Sequence, residues 1–224
     1  MSNITPQIWG LIWTSTLQTL QMVSLSTLFS VLLGLPLGIF LCITSPASQG
    51  GLRPKPVLNE VLSRIVNVLG SFPFIILIIL LFPLSRLIVG TAIGTKSTIV
   101  PLSIAAAPFV ARLVETSLKE VDPGVIQAAR TMGSTDSQIV FKVLLPEALP
   151  SLIAGLTLTI INLIGYSAMA GAVGGGGLGD LAIRYGYQRF RTDVLLVAVV
   201  IIIILVELIQ LIGNKISAKM MSKR

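Results

Sequence analysis

Between Val194 and Ile212 the chain runs VLLVAVVIIIILVELIQLI, and Glu207 and Gln210 are the only strongly polar side chains in it. A helix needs about 20 mostly apolar residues to cross the hydrocarbon core of a bilayer. The segment is therefore predicted to span a membrane. The rest of the chain agrees: of 224 residues 54% are hydrophobic and 11% charged, and the mean hydropathy is +0.93, far from a soluble composition.

Four further segments read as spans, at about Leu17–Ile43, Ile65–Leu84, Thr98–Val114 and Ser151–Val173. The third carries Pro101, Pro108 and Arg112, which a membrane helix accommodates where neighbours satisfy the freed backbone groups. The expected fold is an all-α integral membrane protein of five transmembrane helices. Residues 1–10 carry no basic stretch and no small-residue cleavage site follows, so no removable signal peptide is expected. With the N-terminus outside, the inner side holds Arg53, Lys55, Arg64, Arg112, Lys119, Arg130, Lys142, Lys215, Lys219, Lys223 and Arg224. The outer side holds Arg86, Lys96, Arg184, Arg189 and Arg191. Basic residues concentrate in cytoplasmic loops, so the N-terminus is predicted outside and the C-terminus inside.

Several chemistries are excluded by residue usage. Cys42 is the single cysteine and there is no histidine, so an intrachain disulfide, a Cys/His metal site and a Ser-His-Asp triad are all ruled out. No metal or catalytic residue is assigned. The formal charge of +7 is spread thinly between apolar runs and makes no nucleic-acid-binding patch.

The first span is unusually polar in its outer half, with Thr14, Ser15, Thr16, Gln18, Thr19, Gln21, Ser24, Ser26, Thr27 and Ser30. Hydroxyls there are expected to bond back to their own helix, and Gly34 and Gly38 to allow close helix packing. Glu207 is costly inside a span and so suggests proton coupling. Placement near the cytoplasmic interface, where Lys215 or lipid headgroups can satisfy it, is the preferred reading.

The one long polar segment, Glu115–Glu147, has internal punctuation. Asp122-Pro123 reads as an N-cap with proline at the first helical position, Val125–Met132 as a short helix, and Gly133 as its left-handed stop. Thr135 to Gln138 fits a capping box that opens a second short helix, which Pro146 and Pro150 are expected to interrupt. Gln127-Ala128-Ala129, Gly133, and Val143-Leu144-Leu145-Pro146 together resemble the EAA motif of bacterial ABC importer permeases, with the spacing matched throughout. Gln127 replaces the usual Glu and Val143 the usual Ile.

The resemblance extends through Ser71-Phe72-Pro73-Phe74, Pro108 to Glu115, Ile164 to Gly179 and Tyr185-Gly186-Tyr187, where it is to the methionine-type importer permeases. It implies that the chain, over 1–224, is a single permease domain with a coupling loop over 122–147 in the bacterial inner membrane. By the same resemblance Gln127, Ala128, Ala129, Met132, Gly133, Leu145 and Pro146 meet an ATPase subunit. The partners it implies are a second copy of the chain, two ABC ATPase subunits, an external binding protein that delivers methionine, and membrane lipid. ATP and magnesium would be held by the ATPase, with no cofactor and no catalysis in this chain. Another amino acid, another small polar solute, or a proton-coupled secondary transporter are the alternatives. Ser71, Phe72, Tyr166, Ser167 and Met169 are the candidate path residues, methionine because it is soft and polarizable enough for a gate.

Two phosphate-binding look-alikes are rejected. Gly174, Gly176 and Gly179 satisfy G-x-G-x-x-G, but they end a predicted membrane helix instead of joining a strand to a helix. In Gly90–Ser97, Thr95 separates Gly94 from Lys96, so no Gly-Lys pair exists.

Overall fold

The computed structural model describes residues 6–221, so Lys223 and Arg224 of the basic count lie outside the described residues. Ten α-helices follow in order among the described residues: α1 Pro6–Thr44, α2 Pro56–Gly70, α3 Phe74–Leu80, α4 Phe82–Val89, α5 Thr95–Lys119, α6 Pro123–Thr131, α7 Asp136–Ile139, α8 Leu145–Gly171, α9 Gly177–Leu181 and α10 Thr192–Met221. Among the described residues there is no strand. Four helical stretches are long and apolar enough to cross a membrane, and α2 with α3 makes a fifth as a broken pair. The five-span reading holds in that form.

The differences from expectation have local causes. The second span, predicted unbroken, is interrupted at Ser71–Pro73 and again at Leu81. Pro73 has no N–H to donate and pushes Phe72 away from the helical region, so the break falls there. The proline-containing third span, by contrast, is one helix of 25 residues. Pro146 does not interrupt its helix either: α7 runs into α8 through a π-helical turn, Val140–Leu144, giving 36 continuous residues. A wider turn relieves the contact a proline ring would make with the carbonyl four residues earlier.

The chain divides into two compact units. The first comprises Met1–Phe29, Phe72–Ala106 and Thr159–Leu211, and the second Ser30–Ser71, Ala107–Leu158 and Ile212–Arg224. In the first, Met22, Phe74, Ile78, Leu102, Leu163 and Ile164 form the main core, and Ile8, Ile12, Leu178 and Val194 a smaller one. In the second, Val110, Val114, Leu118 and Val121 from α5 pack against Ile139, Val140 and Leu144 of the π turn and Ala148 and Leu152 of α8.

Close helix approach in the second unit depends on small residues. A Cβ on Gly34 would lie 2.7 Å from both the Ala107 carbonyl oxygen and Val110 Cβ, and one on Gly38 would lie 2.6 Å from Val114 Cβ. The G-x-x-x-G face of α1 therefore packs on α5. In α1, Thr14, Thr16, Ser24 and Thr27 bond to carbonyls three or four residues back, as expected. Gln18, Thr19 and Ser26 do not. Gln18 Oε1 accepts from the Gly177 amide at 2.9 Å, Thr19 Oγ1 accepts from the Leu178 amide at 2.9 Å, and Ser26 donates to the Ile99 carbonyl at 3.4 Å.

Candidate functional site

The short helix α6 in the second unit is built by its own sequence. Asp122 accepts from the Gly124 amide at 2.7 Å as N-cap, with Pro123 occupying the first helical position where its missing N–H is harmless. At the other end Gly133 has φ +79, and the amides of Gly133 and Ser134 bond to the carbonyls of Arg130 and Ala129 at 3.0 and 3.1 Å. These two bonds form a Schellman stop. Thr135 and Gln138 then complete both halves of a capping box at the start of α7.

The residues expected at the ATPase contact fall into two environments. Gln127, Ala128, Met132 and Gly133 are exposed, Met132 to 79%, and Pro146 is exposed as well. Ala129 is only 4% exposed and packs in the core with Leu118, Val121 and Ile139, against which Leu145 is half buried. A side chain larger than alanine at 129 would lift α6 from its seat. Arg130 adds a bond to the Leu52 carbonyl at 3.5 Å, and Arg53 pairs with Asp136 at 2.5 Å.

Behind α6, the end of α5 carries an ionic cluster that the sequence reading did not single out. Glu115, only 5% exposed, accepts from Arg112 at 2.6 Å and Lys119 at 2.8 Å. Arg112 also donates to Asn67 Oδ1 at 2.8 Å and the Ser63 carbonyl at 2.9 Å, and Lys119 to Gln49 at 3.3 Å. A buried carboxylate held by two cations is satisfied, and only the removal of both would leave its charge uncompensated. The helical spacing of Arg112, Glu115 and Lys119 was visible in the sequence. The reach to Asn67 and Gln49 was not, because it depends on how α2 and the preceding loop pack.

The candidate path residues also separate. Ser71 belongs to the second unit and caps α2, its hydroxyl donating to the Asn67 carbonyl at 2.7 Å. In the first unit Phe72 is exposed, Tyr166 stacks on Phe74 with ring centroids 4.7 Å apart, and Ser167 is buried and donates to the Ile164 carbonyl at 2.7 Å. Met169 is 52% exposed on α8. The glycine run forms a loop tied by the Gly94 amide to the Gly174 carbonyl at 3.0 Å. Gly177, at φ +79, opens α9 in a conformation that side chains avoid, and a Cβ there would meet Met22 and Thr19 at 2.7 Å. Beside this loop lies a polar pocket of about 310 Å³ lined by Gln18, Thr95, Asp180 and Arg184. Asp180 accepts from Arg184 and raises the guanidinium's pKa above its ordinary value, so that cation stays charged at any physiological pH.

Glu207 is exposed on α10, and among the described residues it has no ion pair. The helix continues to Met221 without a break, so Lys215 lies more than two turns further on and does not neutralise it.

Comparison with known proteins bears on the whole chain. The family model described as "Binding-protein-dependent transport system inner membrane component" matches residues 31–222. The chain is 49% identical over 216 residues to a probable D-methionine transport system permease of Pasteurella multocida, covering 96% of this chain and 98% of the relative. It is 50% identical over 170 residues to the methionine import system permease of Bacillus subtilis, covering 76% and 77%. Among solved structures, a chain of the inward-facing MetNI methionine ABC transporter superposes with a TM-score of 0.93 at 46% identity, covering 98% of this chain and 99% of that one. An amino acid ABC transporter crystallised with histidines gives 0.77 at 20% identity, which shows the shared fold. With matches that run nearly from end to end and keep the helix order, the chain belongs to the family of binding-protein-dependent transport system inner membrane components.

Proposed function

We propose that the chain is the membrane-spanning subunit of an ATP-driven importer of methionine. The observation that carries this reading is the coverage: 49% identity over 216 residues, 96% of this chain and 98% of the relative, to a protein named for methionine transport. The exposed helix α6, capped at both ends and seated on a buried core, supplies a physical place for an ATPase to act.

In this reading two copies enclose the path, because five spans are too few to surround a gated solute route alone. Two ATPase subunits engage the exposed residues Gln127, Ala128, Met132 and Gly133, while Ala129 and Leu145 hold α6 to the body of the subunit. ATP and magnesium belong to the ATPase, and this chain catalyses nothing. ATP binding draws the two α6 helices together and opens the dimer outward, where an external binding protein delivers methionine. Hydrolysis and product release return it inward. Close packing at the seat transmits the displacement with little slack. The basic-residue bias supports a cytoplasmic location for α6 and the C-terminus. Met169, exposed on α8, and Phe72, exposed at the break before α3, line the path, whereas Tyr166 and Ser167 support it from within the helix packing.

The test is reconstitution. Proteoliposomes holding this chain with its ATPase, given the external binding protein, take up methionine only when ATP is present on the ATPase side. Uptake by this chain alone, driven by a proton gradient, would refute the assignment.

A further inference from the structure

The second unit holds a groove of about 340 Å³ lined by none of the residues assigned to the ATPase contact or the path. Its floor is apolar: Ile39, Phe40 and Ile43 come from the last turns of α1, and Phe141 from the π turn. Phe40 and Phe141 are 43% and 62% exposed. Its rim is charged. Arg53 donates to Asp136 through Nε at 2.5 Å, which orients the guanidinium while its terminal nitrogens have no partner among the described residues. The Lys55 ammonium, on the same rim, has none either. Two cations face one carboxylate, so the rim is net positive.

The position of the groove along the chain explains the combination. Helix α1 ends at Thr44, where the apolar run of the first span stops, so the floor belongs to the hydrocarbon-level part of the helix and the rim to the segment just beyond it. We propose that this groove binds an anionic phospholipid, with an acyl chain along the Phe40–Phe141 floor and the phosphate between Arg53 and Lys55. A free inorganic anion has no use for the aromatic floor. A lipid whose headgroup carries a compensating cation loses its advantage on a positive rim. Basic pockets at the cytoplasmic ends of membrane helices suit anionic headgroups on general electrostatic grounds. The inference needs only that the chain is membrane-embedded and is independent of the solute transported.

Native mass spectrometry of the purified chain, with whatever subunits accompany it, tests the proposal by counting retained phosphatidylglycerol and phosphatidylcholine. Wild type is expected to retain phosphatidylglycerol selectively, and Lys55→Glu, at an exposed and unpaired position, to lose at least about fivefold of it. The Arg53→Ala/Lys55→Ala double variant, which lowers the rim charge by the same two units, should lose a comparable amount, and Phe40→Ser should weaken retention with the rim intact. Arg64→Ala, at an exposed position outside the groove, should change nothing. Equal retention of both lipids, or unchanged phosphatidylglycerol in Lys55→Glu, overturns the proposal. So does loss of the bound lipid to millimolar inorganic phosphate, which would mark a simple anion site. Loss of a co-purifying ATPase from the variants with the lipid count unchanged would assign the groove to that protein instead.

Discussion

At the scale of single residues, Gly133 and Ser85 make opposite predictions. A Cβ on Gly133 meets nothing within 4 Å, so the obstacle to substitution is the backbone, at φ +79, and not crowding. A left-handed conformation costs an ordinary L-residue about 1–2 kcal/mol, and asparagine tolerates it better than most. Gly133→Asn is therefore expected to keep ATP-coupled uptake, whereas Gly133→Leu abolishes it by unwinding the stop of α6 and adding bulk at an exposed face. Wild-type uptake by Gly133→Leu would contradict the role given to α6. Ser85 is wholly buried, and its hydroxyl is the one buried side-chain polar atom without a partner among the described residues. Leaving such a group unsatisfied costs roughly 1–3 kcal/mol. Ser85→Ala should raise the thermal midpoint of the purified protein or leave it unchanged, and a clear drop would mean the hydroxyl has a partner in the assembled protein.

At the scale of elements, most of the helices and their punctuation were legible because they are encoded locally. Asp122-Pro123, Gly133 and the Thr135–Gln138 box lie within a few residues of what they cap, and the observed bonds are those the residue types require. What was not legible depends on neighbours distant in sequence. Gln18 and Thr19 looked like self-bonding polar residues of a membrane helix, yet they cap the amides of Gly177 and Leu178, 159 residues away in each case. Pro73 and Pro146 are the same residue type, but one marks a break and the other sits past a π turn in a continuous helix. The packing of α1 on α5 gives a sharp test. A Cβ at Gly38 lies 2.6 Å from Val114 Cβ and closer still to the Ala111 carbonyl oxygen, so a rigid backbone must move. Gly38→Ala is expected to destabilise by about 1–3 kcal/mol through overpacking. Gly10→Ala in the same helix, with nothing within 4 Å, should be neutral or stabilising by a few tenths to 1 kcal/mol. Thermal unfolding of the pair would separate packing from helix propensity, and equal midpoints would refute close contact of the helices.

At the scale of the whole molecule, the question is what drives transport, and Glu207 is where the two answers diverge. A carboxylate inside a membrane helix is expensive and commonly functional. Its sequence position suggested that Lys215 or lipid headgroups satisfy it near the interface, but α10 runs on to Met221 and leaves Glu207 exposed and without an ion pair among the described residues. The face of α10 that carries Glu207, with Leu196, Ile203, Ile204, Leu208 and Leu211, is exposed on its own chain, so the surroundings of that face are supplied by lipid or by other subunits. If a proton moved through Glu207 in each cycle, Glu207→Gln would eliminate uptake, because an amide neither takes up nor releases a proton near neutral pH. An ATP-driven cycle through α6 does not use that proton. In that cycle Glu207→Gln also removes the cost of a charge in the helix, so ATP-dependent uptake should persist within about twofold of wild type, a change of roughly 0.4 kcal/mol in barrier. Stability should be equal or higher. Complete loss of uptake, with the protein still folded and its ATPase still active, would return the proton-coupled mechanism to first place and leave α6 as a docking site without a motor role.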